Sequence, residues 1–175
     1  RAQVAYGKLK DGVATLEGWL ANNPQDAATR HVQLNWQVMA GNNDDAKQGY
    51  EALLKANDQD VLALNNLAML LRGEDQPRAL ELARKANELA PKSPALMDTL
   101  ALLLMDSGDL AQARELLEEA VEAAPKATVL QLHLAQVQAK AGDQGAARAS
   151  LKKLLDTDAT FPERAAAEAL LASLE

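Results

Sequence analysis

The chain has no cysteine and, across 175 residues, only five aromatics: Tyr6, Trp19, Trp36, Tyr50 and Phe161. Without cysteine there are no disulfides, no zinc–thiolate sites and no thiol nucleophiles, in an oxidising or a reducing compartment alike. Isoleucine is absent, and valine and threonine are few, so strand-favouring residues are scarce. No apolar run approaches the roughly 20 residues that span a bilayer. The two histidines, His31 and His133, have no histidine or carboxylate at metal-ligand spacing. No glycine-rich phosphate loop occurs, and no nucleophile–base–orienter set can be assembled. These absences predict a protein that is not an enzyme, with no catalytic residue, metal or cofactor. The net charge of −7 repels phosphate backbones and anionic bilayers. Nucleic-acid binding and direct membrane insertion by this stretch are therefore not expected.

What is present is alanine, leucine and a period. Nearly half the residues are apolar (48%), enough for one domain or one short solenoid. Helix-closing punctuation falls at Pro24, Asn57-Asp58, Pro91, Pro125 and Asp158. From 24, 58, 91, 125 and 158 the steps are 34, 33, 34 and 33. Within a period the spacing recurs. Gly41 leads to Ala46, Tyr50 and Leu53. Gly108 leads to Ala113, Leu117 and Ala120, and Gly142 to Ala147, Leu151 and Leu154. Ala79, Ala83 and Ala86 repeat the run without its glycine.

Helices are expected at about 1–9, 11–22, 26–40, 43–56, 60–73, 76–89, 94–107, 109–123, 127–141, 143–156 and 162–174. Ser93 reads as an N-cap before a proline at the first helical position. Pro77 and Pro162 read similarly. Asp109 and Asp143 are placed to cap, and the glycines before them suit a left-handed helix end. Gly49 lies inside a helix at a cost of about 1 kcal/mol, for which close packing against Trp36 is the expected reason. The cluster Glu115, Glu118, Glu119 and Glu122 reads as a solvated face, with a partner patch as the alternative.

A period near 34 with small residues at fixed places resembles the tetratricopeptide repeat (TPR) family, whose pattern sets small residues at positions eight and twenty. Ala68, Ala101 and Ala135 match the eighth position; Leu34 departs from it. The family's aromatic at position four is replaced by Leu64 and Met97. The resemblance implies an all-α fold, a right-handed α-α superhelix (TPR solenoid) of antiparallel helix pairs. Its parts would be a partial repeat at 1–24, repeats at 27–58, 60–91, 94–125 and 127–158, and a C-terminal capping helix at 162–174. Leu170, Leu171 and Leu174 would form the cap's buried stripe. Residues 1–22 read as the end of an earlier repeat, so further repeats are expected upstream.

In this family the first helix of each pair lines a concave groove. Carried over by position, the candidate binding residues are His31, Asn35, Asn65, Asn66, Met69, Arg72, Asp98, Leu102, Met105, Gln136 and Lys140. Met39, Leu62, Ala95, Thr99, Asp106 and His133 share the same positions. Amides can bond an extended backbone without reading sequence, and methionine adapts to varied side chains. Asn65 and Asn66 could equally satisfy neighbouring helices only. Chaperone-binding relatives grip a C-terminal carboxylate at positions that here read His31, Asn35, Asn66, Ala95 and Thr99. Both asparagines match and the three cations are missing, so that clamp is not expected.

Five phrases in order across residues 26–174 are similar to the bacterial TPR lipoprotein family of the PEP-CTERM/exosortase system and exopolysaccharide export. They are Leu64-Asn65-Asn66-Leu67-Ala68, the Ala86 to Pro91 helix end, Met97-Asp98-Thr99-Leu100-Ala101, Leu132-His133-Leu134-Ala135 and Phe161-Pro162-Glu163-Arg164. That resemblance implies a periplasmic solenoid tethered to a membrane through an N-terminal part outside this stretch, and a scaffold role in envelope export or sorting. The expected partner is a protein or peptide. A cytoplasmic adaptor or chaperone-like module, a self-associating structural spacer, and an accessory domain of an enzyme stand as alternatives.

Overall fold

In the computed structural model residues 12, 14–156 and 160–174 are described, and all regular structure among them is helical. A helical stretch at 14–22 is followed by α1 (Ala27–Met39), α2 (Asn43–Ala56), α3 (Val61–Leu71), α4 (Gln76–Leu89), α5 (Pro94–Ser107), α6 (Leu110–Ala123), α7 (Thr128–Lys140), α8 (Gln144–Leu155) and α9 (Arg164–Ser173). The expected helices from 26 onward agree with these bounds within two residues at every end. The helix expected at 1–9 lies outside the described residues.

The helices pair as α1 with α2, α3 with α4, α5 with α6 and α7 with α8, and each second helix packs on the next pair. Local chemistry sets the breaks. Gly41, Gly73, Gly108 and Gly142 take φ of 83°, 80°, 89° and 84° just after the first helices, the left-handed conformation that costs glycine nothing. Gly73 plays this part in the pair that seemed to lack a glycine. Arg72 leaves the helix before it, so α3 stops at Leu71.

Five aspartates cap helices by accepting from the backbone N–H three residues on. They are Asp26 (from Thr29), Asp60 (from Ala63), Asp75 (from Arg78), Asp109 (from Gln112) and Asp143 (from Ala146). Ser93 holds the N-cap position of α5 before Pro94 as expected, although its hydroxyl makes no capping bond. Pro94 alone shapes that start, since its fixed φ suits the first turn. Pro162 does not open α9, which begins two residues later at Arg164 after Glu163.

A core of alanine and leucine runs from Leu34 to Val137, through the first three pairs and onto α7. The alanines at the close crossings (Ala46, Ala68, Ala79, Ala101, Ala113, Ala135, Ala147) have no exposed surface. A methyl group there lets backbones approach while leucines fill the remaining space. α5 lies deepest, with nine buried residues from Leu96 to Met105. Each fully buried leucine contributes on the order of 2 kcal/mol through lost apolar surface. At the C-terminal end Leu170, Leu171, Leu174 and Phe161 pack on Leu132, Leu151, Leu154 and Ala167. Arg148 donates to the Leu174 carbonyl, and the Thr128 hydroxyl to Glu163 at 2.8 Å, tying α9 down.

The first pair reverses the rule of the others. Leu34 stands where the other pairs have Ala68, Ala101 and Ala135, and Gly49 stands where they have Leu82, Leu116 and Ser150. A Cβ placed on Gly49 would lie 2.1 Å from Leu34 Cδ2. The leucine thus occupies the space that the other pairs fill from the opposite helix. Trp36 is not the partner of Gly49; its ring lies over Gly12, where a Cβ would fall 1.9 Å away. With a bulky residue at the crossing, α1 and α2 run close over less of their length than do the later pairs.

Candidate interaction surface

First helices face first helices. α3 lies against α5, and α5 against α7, in addition to their own partners. The face on which helices crowd together is the inside of the solenoid's curve, so the candidate residues on α1, α3, α5 and α7 belong to one concave layer.

Its N-terminal half centres on two amides. Asn66 Nδ2 donates to Asn35 Oδ1 and to the Tyr50 hydroxyl, both at 3.1 Å, and Tyr50 donates to Asn35 Oδ1 at 2.5 Å. The triangle links α1, α2 and α3. Tyr50 is fully buried, and burial pushes its phenol pKa up, against the lowering pull of the Asn66 amide. The Tyr50 hydroxyl therefore acts as a neutral hydrogen-bonding group. His31 Nε2 lies 2.9 Å from Asp60 Oδ2, with its ring 6.1 Å from that of Tyr50. Facing a carboxylate, Nε2 is the donor; Nδ1 is buried without a partner. Asn65 sits one step behind, donating to Asn66 Oδ1 at 3.4 Å, with its own Oδ1 buried and unpaired. Around the amides Val32, Met39, Leu62 and Met69 are 42, 73, 59 and 36% exposed.

The C-terminal half spends its polar groups on itself. Arg72 grips Asp106 with Nε at 2.5 Å and a second nitrogen at 3.2 Å, and this hydrogen bond raises the guanidinium pKa further. Asp98 Oδ1 meets His133 Nδ1 at 2.6 Å. Lys140 donates to the Met105 carbonyl at 2.7 Å. Leu102, Met105 and Thr99 are buried, while Gln136 is half-buried and Ala95 exposed. Thus Leu102 and Met105 pack the wall from within, and Arg72, Asp98 and Lys140 tie one repeat to the next. Glu115, Glu119 and Glu122 are exposed on α6, and Glu118 pairs with Arg114 at 2.7 Å.

Sequence reasoning took these residues singly and missed that they act in pairs. His31–Asp60, Asn35–Asn66, Arg72–Asp106, Asp98–His133 and Met105–Lys140 are separated by 29, 31, 34, 35 and 35 positions. The available signal was the period itself: complementary groups about one repeat apart on successive first helices. Val32 was missed as well, although it sits one turn before Asn35 on the same face.

Two hollows of about 380 and 260 Å³ occupy equivalent places one repeat apart, on the second-helix side. The first has Gly49 where the second has Leu82, and the missing side chain accounts for its larger size. Among the described residues no three His, Asp or Glu side chains gather as metal ligands, and no helix is long and apolar enough to cross a membrane.

A stack of antiparallel helix pairs with a continuous core and one crowded face defines a helical-repeat scaffold. A tetratricopeptide repeat model matches residues 70–126 and 104–174, and a second matches 38–94. The chain belongs to the tetratricopeptide repeat family. Solved structures carry the same fold. A tetratricopeptide repeat protein from Parabacteroides merdae superposes with a TM-score of 0.79 at 18% identity, over 98% of this chain and 66% of that one. A thermophilic TPR protein of Thermus thermophilus gives 0.77 at 19%, over 99% and 93%. YrrB, described as a TPR protein with an unusual peptide-binding site, gives 0.70 at 18%, over 91% and 81%. No curated protein matches the chain.

Proposed function

We propose that this protein is a binding scaffold for another protein or a peptide, and that the concave layer of first helices is where the partner sits. The observation that carries this reading is the exposure of large apolar side chains on that layer, Met39 at 73% and Leu62 at 59%, in a family built to hold partners. A rigid wall tied by inter-repeat bonds costs little ordering entropy on binding. The finer reading is a periplasmic scaffold, membrane-tethered through a part outside this stretch, in bacterial envelope export or sorting linked to exopolysaccharide. It rests on the ordered phrases from Leu64-Asn65-Asn66 to Phe161-Pro162-Glu163.

Photo-crosslinking tests both levels. A crosslinker at Met69 on a first helix should capture a partner from native envelope extract, and one at Leu89, exposed on a second helix, should not. Equal capture from the two positions would move the interface off the concave layer. Capture only from cytosolic extract would overturn the envelope reading and leave a cytoplasmic adaptor.

A further inference from the structure

The hollow of about 380 Å³ between α1 and α2 joins apolar walls to a cation without a counter-charge. Pro24, Ala27, Ala52, Leu53 and Ala56 line it, and Gly49 brings no side chain into it. Arg30 lines it too, where the next two pairs carry the buried Leu64 and Met97. Arg30 is half-buried, and its Nη1 donates to the Gln33 amide oxygen at 2.9 Å. Among the described residues Arg72, Arg114 and Arg164, half-buried as well, each hold a carboxylate, whereas none lies within ion-pair distance of Arg30. Asp26, one turn before Arg30, is already spent. It accepts from the Thr29 backbone N–H, the Thr29 hydroxyl and the Trp19 indole.

We propose that this hollow binds a small carboxylic acid with an apolar body. Size selects a whole small molecule, since the volume falls at the lower end of the roughly 300–1,000 Å³ of small-molecule pockets. Charge selects an anion. A neutral apolar molecule would strip water from the guanidinium and give it no partner. Shape selects a carboxylate, whose two oxygens match the planar fork of an arginine. The walls select the apolar body. An inorganic anion would leave the surface of Pro24, Ala52, Leu53 and Ala56 in water, whereas a hydrocarbon body removes it. The hollow lies on the second-helix side, so the proposal stands apart from whatever the concave layer holds.

The test titrates the chain with phenylacetate, which has both parts, with phenylacetamide, which lacks the charge, and with acetate, which lacks the body. Nuclear magnetic resonance reads the backbone amides. Phenylacetate should shift Arg30, Ala52 and Leu53 and bind at least about tenfold more tightly than either other probe. Arg30→Gln should bring phenylacetate down to the level of phenylacetamide. Ala52→Leu, which fills the hollow from an exposed position on α2, should abolish binding of both. Arg84→Gln, at an exposed arginine on α4, serves as the control, and circular dichroism confirms that all three variants are folded. No shift at Arg30, Ala52 and Leu53, equal affinity for phenylacetate and phenylacetamide, or indifference to Arg30→Gln overturns the proposal. A short peptide ending in phenylalanine that binds at least about tenfold more tightly than phenylacetate also overturns it, in favour of a chain end.

Discussion

The two halves of the concave layer are made from the same repeat and differ in what is left over after folding. Around α1 and α3, four large apolar side chains stay in solvent and the polar groups meet at the Asn35–Asn66 bridge. On α5 the equivalent positions carry Thr99, Asp106, Ala95 and Leu102: Thr99 and Leu102 are buried, Asp106 is bonded to Arg72 of the preceding repeat, and exposed Ala95 offers only a methyl group. Capping follows the same division. Asp26 and Asp60 cap α1 and α3, while Ser93 and Ala127 give α5 and α7 no side-chain cap. One half holds itself by local bonds and keeps apolar surface free; the other draws stability from depth. A period sets where helices go, and the residue at each face position decides whether that face holds the solenoid or meets a partner.

Truncation should expose this contrast most sharply. Leu103 on α5 is fully buried, so Leu103→Ala should cost about 2–5 kcal/mol in urea unfolding. Leu62→Ala should stay within about 0.5 kcal/mol. Equal losses would show that the open half is packed after all. Next comes the reversed crossing of the first pair. Gly49→Leu should destabilise by about 1–3 kcal/mol through overlap with Leu34. Leu34→Ala/Gly49→Leu, which copies the later pairs, should recover most of that. Additive losses in this cycle would mean that the two positions do not share one space.

Smaller effects test the caps and ties. Asp60→Ala removes a helix cap and the partner of His31 together, and should cost about 1 kcal/mol, whereas Ser93→Ala should change little. A double-mutant cycle on Arg72 and Asp106, both one-third exposed, should give a coupling below about 1 kcal/mol that shrinks with salt. The smallest effect concerns acid. Asp26 has its pKa lowered by the Thr29 backbone N–H first, and Asp58 by its hydrogen bond from Lys85. A carboxylate with a depressed folded value stabilises the fold in full at neutral pH. That contribution fades as pH drops below about 4 and is lost once the folded value is passed. Urea melts between pH 5 and pH 2 should therefore lose part of their acid slope in Asp26→Asn. An unchanged slope would remove Asp26 from the account.

Helix positions were legible because the signals are local. A glycine with positive φ, a capping aspartate and a closing proline each act within a few residues, and the 33–34 residue steps repeat them. Ser93 shows the limit of such reading, since residue type permits a capping bond and only geometry makes it. The concave candidates were legible as positions but not as contacts. Which of Asn65 and Asn66 reaches Asn35, or whether Met105 faces water, depends on how far one pair rotates against the next.

By itself, then, the sequence determined the helices, their pairing and the layer that forms the inner face, because period and local backbone preference are written in neighbouring residues. Tertiary structure decided that Gly49 makes room for Leu34, that histidines meet aspartates one repeat away, and that Val32, Met39, Leu62 and Met69 stay open on α1 and α3. Those outcomes depend on distances between residues about 15 to 35 positions apart, which close packing across helices sets and no local preference encodes.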